Sequence, residues 1–226
     1  IGTGFSTRIA PHHPLEVVAA VRAVVNAGGD VAAAPELRPW FRAFRGAINE
    51  TTPHWSKFET CGVVRRVSPT KAVVSELPVG KWTEDYKVEL AKLQEKGVIS
   101  DFCLTSTSVK DVSFEVEGRE EQLDEIFGGA KDDDDSAGGV VGEGAALDKL
   151  KLRESETQLR TVFDRNGTLR TLSTTADVLA HFYPARADLY VKRKAHREQR
   201  LRAVLDRLTR ERVATEAIVS GAVQVV

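Results

Sequence analysis

Ile1-Gly-Thr-Gly-Phe-Ser-Thr-Arg-Ile-Ala-Pro-His-His-Pro14 is the stretch on which the interpretation of the chain depends. Gly2 and Gly4 leave room for another molecule to approach the main chain closely. Backbone amides beside glycines can face an anion, and a protruding aliphatic residue such as Ile1 is what some proteins insert between DNA base steps. Taken alone, the pattern is also typical of an ordinary loop. Hydroxyl groups and a positive charge suited to phosphate come from Thr3, Ser6, Thr7 and Arg8.

Length and composition limit the range of functions. The 226 residues allow one good core or two small ones, and the net charge of −1 gives no overall signature of nucleic-acid binding. Acidic residues nevertheless concentrate in 120–135 and basic residues in 186–212, so the local charge pattern matters more than the sum. Two cysteines, Cys61 and Cys103, make neither a disulfide framework nor a zinc site, and we expect free thiols in a reducing compartment.

The ends of the chain and its hydropathy carry two further expectations. No signal peptide and no apolar run long enough to span a bilayer is present in the sequence, so we expect no membrane partner. The chain begins with isoleucine and contains no methionine, which indicates a piece of a longer protein.

Local patterns predict alternating strands and helices over the first two thirds of the chain. Proline in a first turn and apolar residues at helical spacing predict a helix from Pro14 to about Asn26. Alternating β-branched and polar residues around Ser68-Pro69 predict a hairpin. Thr83 is expected to cap a helix that runs to about Lys96. The hairpin strands are 60–67 and 71–77, and a third strand covers 112–117.

The last third predicts a hairpin followed by helices. Strands at 161–164 and 169–172 flank Arg165-Asn166-Gly167, a strong turn signal. Thr174 or Thr175 then opens a helix, and Pro184 is expected in the first turn of the next one. From residue 185 to about residue 214 no proline or glycine interrupts, which gives about 45 Å of helix. Leu201, Leu205 and Leu208 form one stripe on it, so this helix should project and meet a partner helix.

Four blocks in order resemble one family. The first is the opening stretch, with its Ile-x-Pro-x-x-Pro-Leu continuation. The others are Pro39-Trp-Phe-Arg-Ala-Phe-Arg-Gly46, Glu76-Leu-Pro-Val-Gly-Lys-Trp-Thr83, and Phe182-Tyr183 through Arg186, Tyr190, Lys192, Arg193 and Lys194. Together they resemble eukaryotic-type type IIA DNA topoisomerases (DNA topoisomerase II). Because the blocks span nearly the whole chain, their combination is far more specific than any one of them.

The resemblance implies an α+β fold, in which a small mixed or antiparallel sheet with flanking helices is followed by one long projecting helix. In family terms, residues 1–38 would be the DNA-gate loop and helix, 39–173 the tower or shoulder module, and 174–226 the start of a coiled-coil arm. The Gly- and Asp-rich insert at about 128–146, with aspartates at 132–135, is expected to be flexible and solvated rather than a cation site. In the family the chain passes at this point to a Lys-Leu-Lys-Leu strand, so the resemblance also implies a strand at Lys149–Leu152.

The resemblance also implies which residues meet DNA. Ile1 aligns with the isoleucine that in the family wedges between base pairs of the gate segment. Arg42 and Arg45 lie among aromatic residues, which from the residues alone suits either a nucleic-acid surface or, more often, a core edge with cations reaching solvent. The family adds phosphate contact as their expected role. The predicted DNA-binding residues are therefore Ile1, Thr3, Ser6, Thr7, Arg8, Arg42 and Arg45.

No catalytic residue is expected within the 226 residues. In the family the nucleophilic tyrosine and its arginine precede the opening block, and the carboxylates that hold divalent ions lie in earlier domains. Tyr86, Tyr183 and Tyr190 are interpreted as packing residues. We therefore expect no cofactor or metal here and no DNA cleavage by this piece alone.

For the full-length enzyme, the resemblance implies double-stranded DNA as substrate, Mg²⁺ and ATP as requirements, a homodimer and a nuclear location. Two alternatives from other classes stay open. One is a non-catalytic DNA-binding or scaffold module, and the other is an interaction protein whose basic coiled-coil helix meets an acidic partner.

Overall fold

The computed structural model describes residues 4–105, 112–128, 140–141 and 144–222, and shows an α+β chain with antiparallel sheets and one long C-terminal helix. The helices are α1 (Pro14–Asn26), α2 (Thr83–Glu95), α3 (Glu120–Phe127), α4 (Ala145–Lys149) and α5 (Thr175–Val219). The strands are β1 (Ala47–Thr52), β2 (Lys57–Cys61), β3 (Val63–Ser68), β4 (Lys71–Glu76), β5 (Asp101–Leu104), β6 (Phe114–Glu117), β7 (Val140–Val141), β8 (Arg153–Thr157), β9 (Arg160–Phe163) and β10 (Leu169–Leu172). The expected fold class is confirmed.

A five-stranded antiparallel sheet, in the order β5-β6-β4-β3-β7, forms the centre of the body. Alternate residues of its strands are buried, as the period of two requires: Phe114 and Val116 on β6 and Val74 on β4 are fully buried. They pack in one core with apolar residues of α2 and α3 such as Leu90 and Leu123. Both the predicted hairpin around Ser68-Pro69 and the predicted strand in 112–117 are confirmed.

The remaining strands form two smaller sheets. Strands β1, β2 and β8 form an antiparallel sheet, and β9 pairs with β10 in a separate ribbon. The ribbon is the predicted hairpin, and its turn is held by the Asp164 carboxylate, whose Oδ1 accepts from the amides of Asn166 and Thr168 at 2.9 Å. These two hydrogen bonds and the Arg170 guanidinium hold the pKa of Asp164 below its usual value.

Two strand predictions need correction. Thr60 and Cys61 belong to β2 rather than to the hairpin, because Gly62 interrupts the extended run; a Cβ there would lie 2.4 Å from the carbonyl oxygen of Glu76. Residues 149–152 are not a strand. They end α4 and turn through Lys151, which has a positive φ of 57°, and β8 begins only at Arg153.

The C-terminal helix is longer than predicted and passes through Pro184 without a break. Its 45 residues span about 67 Å, against the 45 Å expected. Proline removes one hydrogen bond to residue 180 and crowds that turn, a local cost of about 3 kcal/mol. Here a capping box, in which Thr174 and Asp177 bond each other's backbone amides, fixes the start of the helix, and long flanks continue on both sides.

No residue of α5 is buried, and its Leu201, Leu205 and Leu208 are between 50% and 64% exposed. Because these side chains are exposed and do not pack in the core, the prediction that the helix projects is confirmed.

Smaller predictions have mixed outcomes. Helix α1 has the predicted bounds, and the two cysteines are free thiols. The residue before the first turn of α2 is Trp82, whose side chain makes no capping bond, so Thr83 is not the cap. Of the insert predicted to be flexible, residues 129–139 and 142–143 lie outside the described residues. Val140 and Val141 within it pair with β3, and α4 follows them.

Candidate nucleic-acid interface

The N-terminal segment, residues 4–12, runs along the junction between β8 and β9. A short antiparallel bridge holds it there: the amide of Arg8 donates to the carbonyl of Leu159, and the amide of Leu159 donates back, both at 2.8 Å. The amide of Ala10 donates to Oε1 of Gln158 at 3.1 Å. These bonds fix the path of the segment while residues 4–9 remain exposed.

Two of the predicted DNA-binding residues take part in this anchoring. The Thr7 hydroxyl donates to the carbonyl of Leu159 at 3.0 Å, and the Arg8 guanidinium lies 2.6 Å from Oε1 of Glu156. The Arg8 side chain is 67% exposed, so the ion pair is a surface pair of small net worth and leaves one face of the guanidinium open to solvent. DNA contact by Thr7 and Arg8 stays a prediction.

The remaining predicted residues of the segment differ in what the structure says of them. Ser6 is exposed, and Gly4 has a φ of 73° with no atom within 4 Å of where a Cβ would lie. Ile1 and Thr3 lie outside the described residues. The anchored part therefore presents an open, permissive backbone directly before the bridge at Arg8.

Arg42 and Arg45 lie in the loop that precedes β1, which turns through Ala43 at a φ of 63°. Both arginines are exposed. Arg45 reaches Oε2 of Glu76 at 3.2 Å, whereas Arg42 makes no ion pair with any residue that the structure describes. The guanidinium of Arg42 is thus available to a phosphate oxygen.

The aromatic residues around these arginines form a core edge. Phe41 packs edge-on against Phe44 and also contacts Phe58, with ring centroids 6.4 and 6.3 Å apart. Trp40 packs edge-on against His13 at 4.7 Å. All three rings of the loop are half-buried. Of the two interpretations of this block, the structure supports packing for the rings, and the exposed arginines project beside them.

Three of the four sequence blocks meet at one cleft of about 130 Å³. The amide of Trp40 donates to the carbonyl of Pro11 at 2.8 Å, which joins the arginine loop to the N-terminal segment. The third block contributes Val79 and Gly80; a Cβ at Gly80 would lie 3.5 Å from Oε1 of Glu156, the partner of Arg8. The cleft is lined by Arg8, Ile9, Ala10, Pro11, Phe41, Phe58, Val79, Gly80, Glu156, Thr157 and Gln158.

A buried arginine next to this cleft was not recognised from the sequence. Arg160 is 2% exposed and donates to the carbonyl of Ser173 at 2.7 Å and to the carbonyl of His54 at 2.8 Å. Its neighbour Gln158 donates to the carbonyl of Trp55 at 2.8 Å. His54 and Trp55 both have positive φ, so the two side chains hold a strained turn in place. No sequence signal separates Arg160 from the other arginines.

His12 lies close enough to Arg160 to be affected by its positive charge. Burial, together with the positive charge of Arg160, lowers the pKa of His12, although Glu16 and a backbone contact with Leu37 act in the opposite direction. His12 therefore stays neutral near neutral pH and serves packing rather than charge. The neighbouring His13 caps α1 by accepting from the amide of Leu15 at 3.3 Å.

The three tyrosines expected to pack have different surroundings. Tyr86 is fully buried, packs edge-on against Phe114 at 5.1 Å, and burial strongly raises the pKa of its hydroxyl. Tyr183 lies against Gly29, and a Cβ there would be 3.1 Å from its ring. Tyr190 is 55% exposed and receives the Arg186 guanidinium 5.3 Å from its ring centre. Tyr86 and Tyr183 pack as expected, whereas Tyr190 lies on an open helix face.

The described residues offer neither a cluster of metal ligands nor a membrane-spanning helix. Within them, no three histidine, cysteine or acidic side chains come together closely enough to hold a metal ion. The aspartates at 132–135 lie outside the described residues. None of the described helices is both long enough and apolar enough to cross a membrane.

The architecture matches that of a known DNA-processing domain. A crystal structure of the Plasmodium falciparum topoisomerase II DNA-binding, cleavage and re-ligation domain superposes with a TM-score of 0.82 at 25% identity, covering 100% of this chain and 28% of that one. The fold and its exposed N-terminal segment therefore define a type II topoisomerase core module.

The sequence comparisons agree. The family model for the A subunit of DNA gyrase/topoisomerase IV matches residues 1–222, and the chain belongs to this family. It is 28% identical over its whole length to the putative mitochondrial DNA topoisomerase 2 of Caenorhabditis elegans, and 29% identical to the mitochondrial DNA topoisomerase 2 of Dictyostelium discoideum. The chain spans 18% and 16% of the length of these two relatives.

Proposed function

We propose that the chain is part of the DNA breakage-reunion core of an ATP-dependent type IIA topoisomerase, an isomerase that passes one duplex through a transient double-strand break in another. Such an enzyme relaxes and decatenates DNA. In this proposal the chain binds and bends the cleaved duplex, called the gate segment, and does not supply the nucleophilic tyrosine. Family membership and the fold support the assignment to a DNA breakage-reunion core. The geometry of the candidate interface supports the proposal that this chain binds and bends the gate segment.

The observation that carries the finer proposal is the anchored, exposed N-terminal segment beside the arginine loop. The bridge between Arg8 and Leu159 fixes one end of a backbone that is open on its outer side. Ile1 then acts as the wedge between base steps. Unstacking a step costs a few kcal/mol, which is offset by the additional phosphate contacts that a bent duplex makes. Arg8, Arg42, Arg45 and the hydroxyls of Thr3 and Ser6 provide those contacts, and Thr7 joins them when its hydroxyl hydrogen turns from the carbonyl of Leu159 to a phosphate oxygen.

Cofactors belong to the full-length protein in this proposal. Mg²⁺ and ATP are required there, but the described residues offer no cluster of ligands that fits a divalent ion. The active assembly is a homodimer.

The location is the nucleus, although two of the relatives carry the word mitochondrial in their names. Imaging of the tagged full-length protein decides between these two compartments.

The first experiment tests the wedge. In the full-length protein, Ile1→Ala should reduce DNA bending, measured by fluorescence energy transfer between the ends of a short duplex, and should reduce cleavage more than it reduces affinity. The control is Val18→Ala, which removes an aliphatic side chain of similar size that is 49% exposed on α1. Equal bending by Ile1→Ala and the wild type contradicts the wedge.

The second experiment tests the phosphate contacts. Each lost contact lowers the slope of log affinity against log salt by about 0.9. Arg42→Gln and Arg45→Gln together should therefore lower the slope by about 2, whereas Arg22→Gln, at an exposed position of α1, should leave it unchanged. An unchanged slope in the double variant contradicts phosphate contact by this loop.

A non-catalytic DNA-binding module is the second candidate, because the interface described here holds DNA-binding groups and no cleavage chemistry is assigned to it. Incubation of the full-length protein with DNA and Mg²⁺, followed by denaturation, separates the two. A covalent protein–DNA complex supports the enzyme, and its absence under conditions in which DNA is bound and bent supports the module.

A further inference from the structure

The polar part of α5 carries a basic stretch that the DNA-gate proposal does not use, and four of its five lysines and arginines between 192 and 200 share one side of the helix. We define the basic arc as Lys192, Arg193, Arg197 and Arg200. At 100° per residue these four side chains cover about 140° of the helix circumference. The acidic residues nearest along the helix, Asp188 and Glu198, point outside that sector.

All four members of the basic arc are exposed and make no ion pair with any residue that the structure describes. Other arginines of the same helix differ in this respect. Arg202 lies 4.0 Å from Glu198, and Arg212 lies 3.7 Å from Glu216. The charge of the arc is therefore not balanced by the helix itself, unlike the charge further along it.

The arc is also separate from the apolar stripe. Leu201, Leu205 and Leu208 are centred about a third of a turn around the helix from the centre of the arc. A helix packed on the leucines would reach Arg197 at its edge and leave Lys192, Arg193 and Arg200 uncovered. Most of the arc can therefore be occupied while a partner helix covers the leucines.

The chemistry of the arc favours a nucleic-acid backbone over an acidic protein. Between 192 and 200 the only aliphatic side chain is Ala195, which lies on the opposite side, whereas protein interfaces depend on buried apolar or aromatic anchors. Interfaces with DNA are more polar and much more positively charged. Arg193, Arg197 and Arg200 follow one another on the same side of the helix with rises of about 6 and 4.5 Å along its axis, and a planar guanidinium group suits phosphate recognition.

We propose that the basic arc binds the phosphate backbone of duplex DNA, at a site separate from the gate interface and without reading the base sequence. This inference rests on the proposed function, since it supplies a second duplex contact within the same enzyme. The site lies on the projecting helix, so it holds a duplex beside the arm rather than across the N-terminal segment.

The experiment compares two double variants of the full-length protein, which remove equal charge from one helix. Arg193→Gln with Arg197→Gln removes two arc residues, and Arg202→Gln with Arg212→Gln removes two arginines that are paired with glutamates. Glutamine is a good helix former, and all four positions are exposed, so both proteins should fold alike by circular dichroism. Binding to a 40-base-pair duplex is measured over a range of salt concentrations.

The arc variant should lower the slope of log affinity against log salt by up to about 1.8, while the control stays within about 0.5 of the wild type. Equal slopes in the two variants overturn the proposal. So does a loss of binding to poly-L-glutamate with an unchanged DNA slope, which would assign the arc to an acidic protein. Absence of DNA binding by the wild type overturns the proposed function as well, and bending that survives in the arc variant shows that the gate interface is intact.

Discussion

In the five-stranded sheet, Phe114 and Val116 are fully buried in one core with α2 and α3, whereas α5 buries none of its 45 residues. The two regions obtain their stability differently. The sheet removes its own apolar surface from water. The first turns of α5 gain partial burial, as at Tyr183 beside Gly29, but the rest of the helix depends on its backbone hydrogen bonds and a few exposed ion pairs, each of small worth. One chain therefore combines a body with a buried core and a helix whose leucines stay exposed, and a partner helix for those leucines remains a prediction.

The largest expected effect comes from the sheet. Phe114→Ala should lower the free energy of unfolding by about 3 to 5 kcal/mol, because it removes a buried ring and leaves a cavity. Leu205→Ala on α5, where the side chain is 64% exposed, should change it by less than about 0.5 kcal/mol. Urea unfolding of the two variants measures both values. Similar costs at the two positions would mean that the arm packs on the body.

A smaller effect is expected where the two regions join. Arg160→Met should lower the free energy of unfolding by about 2 to 3 kcal/mol, because the carbonyls of His54 and Ser173 lose their charged donor. His54 belongs to the body, and Ser173 lies directly before α5. The same urea experiment measures the loss, and Arg202→Met, on the exposed arm, is the control. If Arg160→Met is as stable as its control, the hydrogen bonds of Arg160 do not stabilise the junction between the body and α5.

The smallest effect concerns pH and the N-terminal segment. The pKa of His12 is lowered in the folded chain, so the unfolded chain binds the proton more tightly. The stabilising contribution of neutral His12 is fully present above the unfolded pKa of about 6.5 and is lost as the pH falls below it toward the folded pKa. The melting temperature of the wild type should therefore drop more between pH 7.5 and 5.5 than that of His12→Asn.

The exposed His196 on α5 provides the control for this comparison. His196→Asn should follow the wild-type curve, because its side chain lies in solvent in the described structure. Parallel curves for the wild type and His12→Asn would show that burial of His12 does not couple the segment to stability.

The same contrast explains which features could be predicted from the sequence. Alternation at Phe114 and Val116 and helical spacing in α1 are local patterns, so they predict the corresponding strand and helix correctly. The continuity of α5 through Pro184 is not predictable in this way, because a local rule assigns a break where the cap at Thr174 and the long flanks preserve the helix. The strand expected at 149–152 rests on resemblance alone, and the structure has a turn there.

The candidate site shows the same limit. The opening glycines and the arginines of the loop at 40–46 could be recognised from the sequence. Two contacts could not be recognised in this way: the bridge between Arg8 and Leu159, and the hydrogen bond from Arg160 to the carbonyl of His54. Each joins residues more than one hundred positions apart in the chain. Those long-range contacts bring the separate blocks to one cleft.

Hydrogen exchange of the full-length protein, with and without a 30-base-pair duplex, tests most directly whether the N-terminal segment and the arginine loop form the DNA interface. If they do, we expect slower hydrogen exchange on DNA binding in residues 4–10 and 40–46, and unchanged exchange in β5 and β6 at the centre of the body. Unchanged exchange in both of the first two regions, while DNA is bound, would contradict this interface.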